Sequence, residues 1–140
     1  MKSIAILGAT GSIGTSTLDV VRQNREYFSI NALSTHRNIE KVVEIAREFR
    51  PKKIVVTDKM QYKKIQHMKI PYSVEILFGK QGLIEIATDN STDIIVSSLV
   101  GAAGIEPTIA ALKKGKRIAL ANKEVLVAAG EYMAKHFSKE

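Results

Sequence analysis

The sequence predicts a doubly wound α/β domain, a parallel sheet with helices on both faces, and three observations carry that prediction. Short apolar runs at 4–7, 54–56 and 94–96 are continuous rather than alternating, the pattern of strands buried on both faces. Between them lie segments whose apolar residues recur at helical spacing. A glycine-rich turn between Gly8 and Gly14 follows the first apolar run directly.

Taken in order, Ile4, Ala5, Ile6 and Leu7 form the first strand, which stops at Gly8. A helix over 13–22 follows, with Ser12 as its N-cap and Ile13, Leu18 and Val21 on its apolar side. Residues 30–33 read as the second strand. In the next helix Ile39, Val42, Val43, Ile45, Ala46 and Phe49 show the helical period, and Pro51 closes it. Residues 54–56 are β-branched throughout and make a third strand. A weaker helix near 59–67, an extended segment at 74–78 and a short helix at 82–87 come next. A strand at 94–96 runs into Gly101-Ala102-Ala103-Gly104. The helix expected at 107–114 has Pro107 in its first turn and Gly115 at its C-cap. A last strand at 118–120 and a closing helix at 124–137 complete the series. No repeat, linker or low-complexity segment divides residues 1–140, so one domain is expected.

With 140 residues, such a chain buries about two-thirds of its unfolded surface, enough for a core without staples. The absence of cysteine excludes disulfide scaffolds, iron–sulfur sites and thiol nucleophiles. The uncharged stretch 94–105 is too short to span a bilayer, and no signal-peptide pattern opens the chain. A cytoplasmic location with no membrane partner is expected. Lysine and arginine exceed aspartate and glutamate by 21 to 14, a net charge of +7. That excess can serve nucleic acid, a membrane surface or phosphorylated ligands. Glu40, Glu44 and Glu48 stand at four-residue spacing among the basic residues of one helix, as on a solvated face. Few aromatic residues interleave with the charges, so nucleic acid is not the expected partner.

Chemistry concentrates at the turn Gly8-Ala9-Thr10-Gly11-Ser12-Ile13-Gly14. A diphosphate needs backbone amides at a helix N-terminus, and glycines let the backbone approach it. At the first strand–helix junction this reads as the turn of a Rossmann-like dinucleotide site, the other reading being a tight turn with no ligand; its spacing is G-x-x-G-x-x-G, so the hydroxyls of Thr10 and Ser12 can add donors. After the second strand, where NAD enzymes place an acid for the ribose 2′-hydroxyl, the sequence reads Ser34-Thr35-His36-Arg37-Asn38. A carboxylate would repel a 2′-phosphate, whereas the Arg37 guanidinium can pair with it; NADP is favoured. The other reading of Arg37 is as part of the solvated, charged start of the next helix. Ala121-Asn122-Lys123-Glu124 follows the last strand, where open α/β sheets collect ligands. The same triplet also reads as a helix N-cap and a first-turn acid, and spacing alone does not choose.

Other candidates fall away. His36, His67 and His136 lack metal-ligand spacing; His36 is placed near the adenosine end, the other two on the surface. No tyrosine is followed four positions later by lysine, so the catalytic pair of short-chain dehydrogenases is missing. Asp89 and Asp93 read as turn capping.

Three segments together resemble 1-deoxy-D-xylulose 5-phosphate reductoisomerases: Ile6 through Gly14 with Ser16-Thr17-Leu18-Asp19-Val20-Val21 behind it, Val100-Gly101-Ala102-Ala103-Gly104, and Leu120-Ala121-Asn122-Lys123-Glu124. The resemblance implies NADPH as cofactor and a divalent metal, Mg²⁺ or Mn²⁺. It also implies a phosphorylated sugar substrate, rearranged and then reduced to 2-C-methyl-D-erythritol 4-phosphate in isoprenoid precursor synthesis. By position it implies that Thr10, Gly11, Ser12 and Ile13 hold the diphosphate and that Arg37 and Asn38 meet the 2′-phosphate. Asn122 and Glu124 would contact the cofactor, and Lys123 the substrate. His36 replaces a usually small residue and Val125 a common serine. In the family an Asp-Ser-Glu metal segment, a catalytic domain and a helical domain follow, beyond Glu140. The expectation is therefore a truncated N-terminal cofactor domain that binds NADPH without a metal site, catalytic residues or turnover. Family dimers form largely through the parts not present, so this piece is compatible with a monomer. Two rivals are another NADP reductase, such as an aspartate-semialdehyde dehydrogenase-like domain, which would need a cysteine, and a dinucleotide sensor that has lost catalysis.

Overall fold

The structure, a computed structural model, describes residues 1–99 and 101–120. The element order is β1 (Lys2–Leu7), α1 (Ser12–Gln23), β2 (Phe28–Thr35), α2 (Ile39–Phe49), β3 (Lys53–Val56), α3 (Lys59–Ile65), β4 (Glu75–Phe78), α4 (Gly79–Thr88), β5 (Ile94–Ser97), α5 (Ile105–Lys113) and β6 (Arg117–Leu120). A 3₁₀ turn at Gly101–Gly104 precedes α5. The helix expected at 124–137 lies outside the described residues, as do Asn122, Lys123, Glu124 and His136.

All six strands are parallel, in the order β4-β3-β2-β1-β5-β6. The doubly wound prediction holds. Alternate residues of β1 explain the two covered faces. Ile4 and Ile6 join the core under α1 and α2, with Leu18, Val21, Val42, Val43 and Ala46. Ala5 and Leu7 join the opposite core under α4 and α5, with Leu83, Ile86 and Ala111. Strand order reverses between β1 and β5, and a crevice opens outside the carboxyl ends of strands at such a switch.

The structure corrects some expected boundaries. Ser12 does not cap α1; it is the first helical residue, and Gly11 occupies the cap position without a side-chain bond. Ile13 is 44% exposed rather than part of the core. α4 begins at Gly79, ahead of the expected 82, because Gly79 at φ +68 turns β4 straight into the helix. α2 ends before Pro51 as expected, with Arg50 in the left-handed region at φ 49. The Tyr72 hydroxyl donates to the Pro51 carbonyl at 2.8 Å and ties down that corner; burial, opposed by Arg50, pushes this phenol up to about 12.

Candidate functional site

The turn after β1 is held from two sides. The Gly8 amide donates to Ser34 Oγ at 2.7 Å and the Ala9 amide to the Ser34 carbonyl at 2.8 Å. From the other side Ser98 Oγ is 2.9 Å from the Leu7 carbonyl and 3.0 Å from that of Gly8. Each glycine of the turn has its own reason. Gly8 stands at φ +88, where side chains are strained. Gly14 presses α1 against the turn, so that a Cβ there would lie 2.3 Å from the Ala9 carbonyl oxygen. Gly11 needs no special backbone, and a Cβ on it would meet nothing within 4 Å. The space is on the side a ligand would approach.

At this point α1 presents its N-terminus. The first-turn amides of a helix have no intrahelical acceptor; here no side chain caps them and no acid stands in the first turn. Ser12 and Ile13, the first two helical residues, are exposed. Thr10 Oγ1 pairs with Thr35 Oγ1 at 2.9 Å, and either can be the donor. When Thr35 donates, the Thr10 hydrogen is free for a phosphate oxygen.

A cleft of about 610 Å³ opens beside the turn. Gly8, Thr10 and Gly11 form one wall, Ser98, Leu99 and Ala103 another, and Thr35, His36 and Thr57 the end beyond β2 and β3. Gly79, Lys80 and Leu83 of α4 complete it. His36 Nδ1 lies 2.8 Å from Thr57 Oγ1, which fixes the imidazole at the β2 end. Arg37 flanks this end without lining it. Its side chain is 75% exposed, with Nε 3.5 Å from Asp58 Oδ1. Asp58 is no ribose acid of the β2 type, since it follows β3 and its other oxygen caps α3 through the Gln61 amide at 3.1 Å. Asn38 caps α2, its Oδ1 accepting from the Lys41 amide at 3.2 Å. Arg37 keeps most of its donors available.

Sequence reasoning missed Thr57, Lys80 and Ser98. The first and last directly follow β3 and β5, so the rule that ligands gather beyond strand ends could have named them. A smaller cavity of about 300 Å³ between Phe78, Gln81 and Glu85 touches none of the predicted site residues. Asp89 and Asp93 act as turn anchors, accepting from the amides of Ser91 and Ser3. Among the described residues no three His, Asp or Glu side chains converge on a metal position. No helix among them is long and apolar enough to cross a membrane.

The profile of the 1-deoxy-D-xylulose 5-phosphate reductoisomerase family matches residues 4–130. The chain belongs to this family. It is 47% identical over 133 residues to the reductoisomerase of Clostridium perfringens, covering 94% of this chain and 35% of that protein. Identity to the Clostridium acetobutylicum reductoisomerase is also 47%, over 99% of this chain and 37% of that one. Among solved structures, a reductoisomerase in complex with magnesium superposes with TM-score 0.92 at 44% identity, over 99% of this chain and 35% of that one. The Zymomonas mobilis reductoisomerase in complex with NADPH superposes with TM-score 0.88 at 36% identity, over 99% and 36%. This chain therefore spans about 35% of the length of the reductoisomerases it matches. These superpositions show that the parallel sheet of this chain is that of the family.

Proposed function

We propose that residues 1–140 form the NADPH-binding domain of a 1-deoxy-D-xylulose 5-phosphate reductoisomerase, and that this piece alone binds cofactor without turnover. One observation carries the reading: the uncapped N-terminus of α1 meets the open face of Gly11 at the point where strand order reverses. An anionic diphosphate suits that place because it supplies the acceptors and the negative charge that the chain itself withholds. Family relatives solved with NADPH support the choice of dinucleotide.

In this reading the amides around Gly11, Ser12 and Ile13 bind the diphosphate, and Thr10 adds a hydroxyl. Arg37 and Asn38 take the 2′-phosphate, Arg37 through its unspent guanidinium donors. His36, fixed by Thr57, lies against the adenosine. Asn122 and Glu124 contact the cofactor and Lys123 reaches the phosphorylated sugar, as the family motif assigns them. NADPH, when bound, supplies the hydride that reduces an aldehyde to an alcohol. The Mg²⁺ or Mn²⁺ that polarises the sugar oxygens, and the dimer contacts, belong to the remainder of a full-length enzyme. Nucleic acid and membrane have no part in it.

Calorimetric titration with NADPH and, separately, NADH tests this. Saturable binding that prefers NADPH at least tenfold, about 1.4 kcal/mol, is the expected outcome, with no NADPH consumed when the sugar phosphate and Mg²⁺ are added. Equal affinity for both cofactors removes the 2′-phosphate assignment. Binding of neither removes the reading.

A further inference from the structure

Lys41 lies on the first turns of α2, yet its ammonium reaches the glycine turn. Nζ donates to the Thr10 carbonyl at 3.0 Å and to Thr15 Oγ1 at 3.3 Å. Both acceptors are neutral, and among the described residues no carboxylate pairs with this cation. Thr15 itself belongs to the opening of α1, where its hydroxyl also bonds the Gly11 carbonyl at 2.9 Å. A full positive charge is thereby held against the positive end of a helix dipole, with no acid in that helix's first turn. In a cofactor-free chain the juxtaposition is electrostatically unfavourable. An arrangement that holds two like potentials together is complementary to an anion placed between them and solvent.

We infer that Lys41 is a cofactor-positioning residue: it pins the glycine turn to α2 and supplies the cationic field that draws the dinucleotide diphosphate onto α1. The inference rests on the dinucleotide reading of the same turn, and it divides labour with Arg37. Arg37 lies beyond the β2 end of the cleft and discriminates by the 2′-phosphate. Lys41 backs Thr10 and Gly11 and acts on the diphosphate that NADPH and NADH share.

The test is titration of wild-type chain, Lys41→Met and Lys41→Arg with NADPH and with NADH, each at low and at moderate salt, with thermal melting of each variant. Lys41→Met is expected to weaken both cofactors by a similar factor, about tenfold, and to flatten the salt dependence of both affinities. Lys41→Arg, which keeps the charge, is expected to recover most of the loss. A melting temperature lowered in Lys41→Met with both affinities intact makes Lys41 a structural strap only and overturns the inference. A loss confined to NADPH overturns it too, by moving Lys41 to the 2′-phosphate. Should Lys41→Met fail to fold, the salt series decides: NADH affinity that ignores salt in wild-type and Lys41→Arg chains overturns the inference, and affinity that falls with salt sustains it. Failure of the wild-type chain to bind either cofactor instead removes the dinucleotide reading, and Lys41's part with it.

Discussion

The two edges of the sheet are both rich in polar side chains, and they differ in how those side chains are spent. At the amino edge Lys53 pairs with Asp89 and Glu85, both at 3.1 Å. Lys116 donates to the Asp89 carbonyl at 2.6 Å, and Asn31 donates to Thr92 at 2.7 Å and to Ser91 at 3.2 Å. Asn31 is also the extra residue where the β1–β2 register shifts between Ile4 and Ala5, so its buried side chain anchors an irregularity. Charges of both signs meet there and close on one another. At the carboxyl edge Lys41 rests on neutral oxygens, Arg37 keeps one long contact to Asp58, and the N-terminus of α1 is uncapped. Of the charges on this edge, Lys80 does meet a carboxylate, Glu106 at 3.3 Å, whereas Lys41 meets none among the described residues.

The glycine turn offers the sharpest way to break this contrast. Gly14→Ala forces a methyl carbon onto the Ala9 carbonyl and is expected to cost about 3 kcal/mol or more in urea unfolding. Gly11→Ala, only three positions away, meets open space. Its stability is expected to stay within about 0.5 kcal/mol of wild type while NADPH affinity falls at least tenfold, because the methyl stands where the diphosphate approaches. Loss of stability in both variants would make the whole turn structural.

Arg37→Met comes next. Titration is expected to show NADPH weakened by about 1.5–3 kcal/mol, the worth of a charge-assisted contact, with NADH little changed and the urea midpoint unmoved. Equal loss for both cofactors would take Arg37 away from the 2′-phosphate.

The amino edge should answer to acid instead of cofactor. Burial works against ionised Asp89, but the Ser91 hydroxyl and amide and the Lys53 ammonium outweigh it and hold its carboxyl down at about 2, from an ordinary 3.8. A depressed carboxyl stabilises the fold above its unfolded value and loses that contribution as pH falls towards the folded one. Asp89→Asn is therefore expected to cost about 1–2 kcal/mol at neutral pH. The difference from wild type should shrink between pH 4 and 2, followed by urea midpoints across that range. A gap that persists at pH 2 would assign the loss to packing. The smallest effect is expected on the helical flank, where Glu48 joins Arg22 at 2.6 Å and Arg25 at 2.9 Å on an exposed face. Glu48→Gln should lower the melting temperature slightly at low salt and not at all at high salt.

The fold was readable because each strand's apolar run is set off by a helical period, as from Ile4 to Leu7 and again from Ile39 to Phe49. The glycine turn was readable because its chemistry is local. Ser12 was misassigned as a cap because cap geometry depends on the backbone at Gly11, which spacing does not encode. Ile13 fits the helical period with Leu18 and Val21, yet at the very start of α1 it stays in solvent. In the sequence Lys41 is one of the basic residues interspersed with Glu40, Glu44 and Glu48; its reach to Thr10 and Thr15 exists only once α1 and α2 lie side by side on one face. The pairing of Thr10 with Thr35 and of His36 with Thr57 likewise needed strands to become neighbours.

The place of β1 in the sheet bears on how the chain acquires its cleft. Ile4 pairs with Ile30 on one side and with Ile94 on the other. The first pairing closes a short βαβ loop, while the second must wait for most of the chain and close a far longer one, the slower event in a topology-limited search. During synthesis the glycine turn therefore emerges long before its second support and the opposite wall of the cleft, since Ser98 and Leu99 follow β5. A half-made domain can display the turn but has no cleft, and a ligand that needs both walls stabilises only the chain that has finished folding.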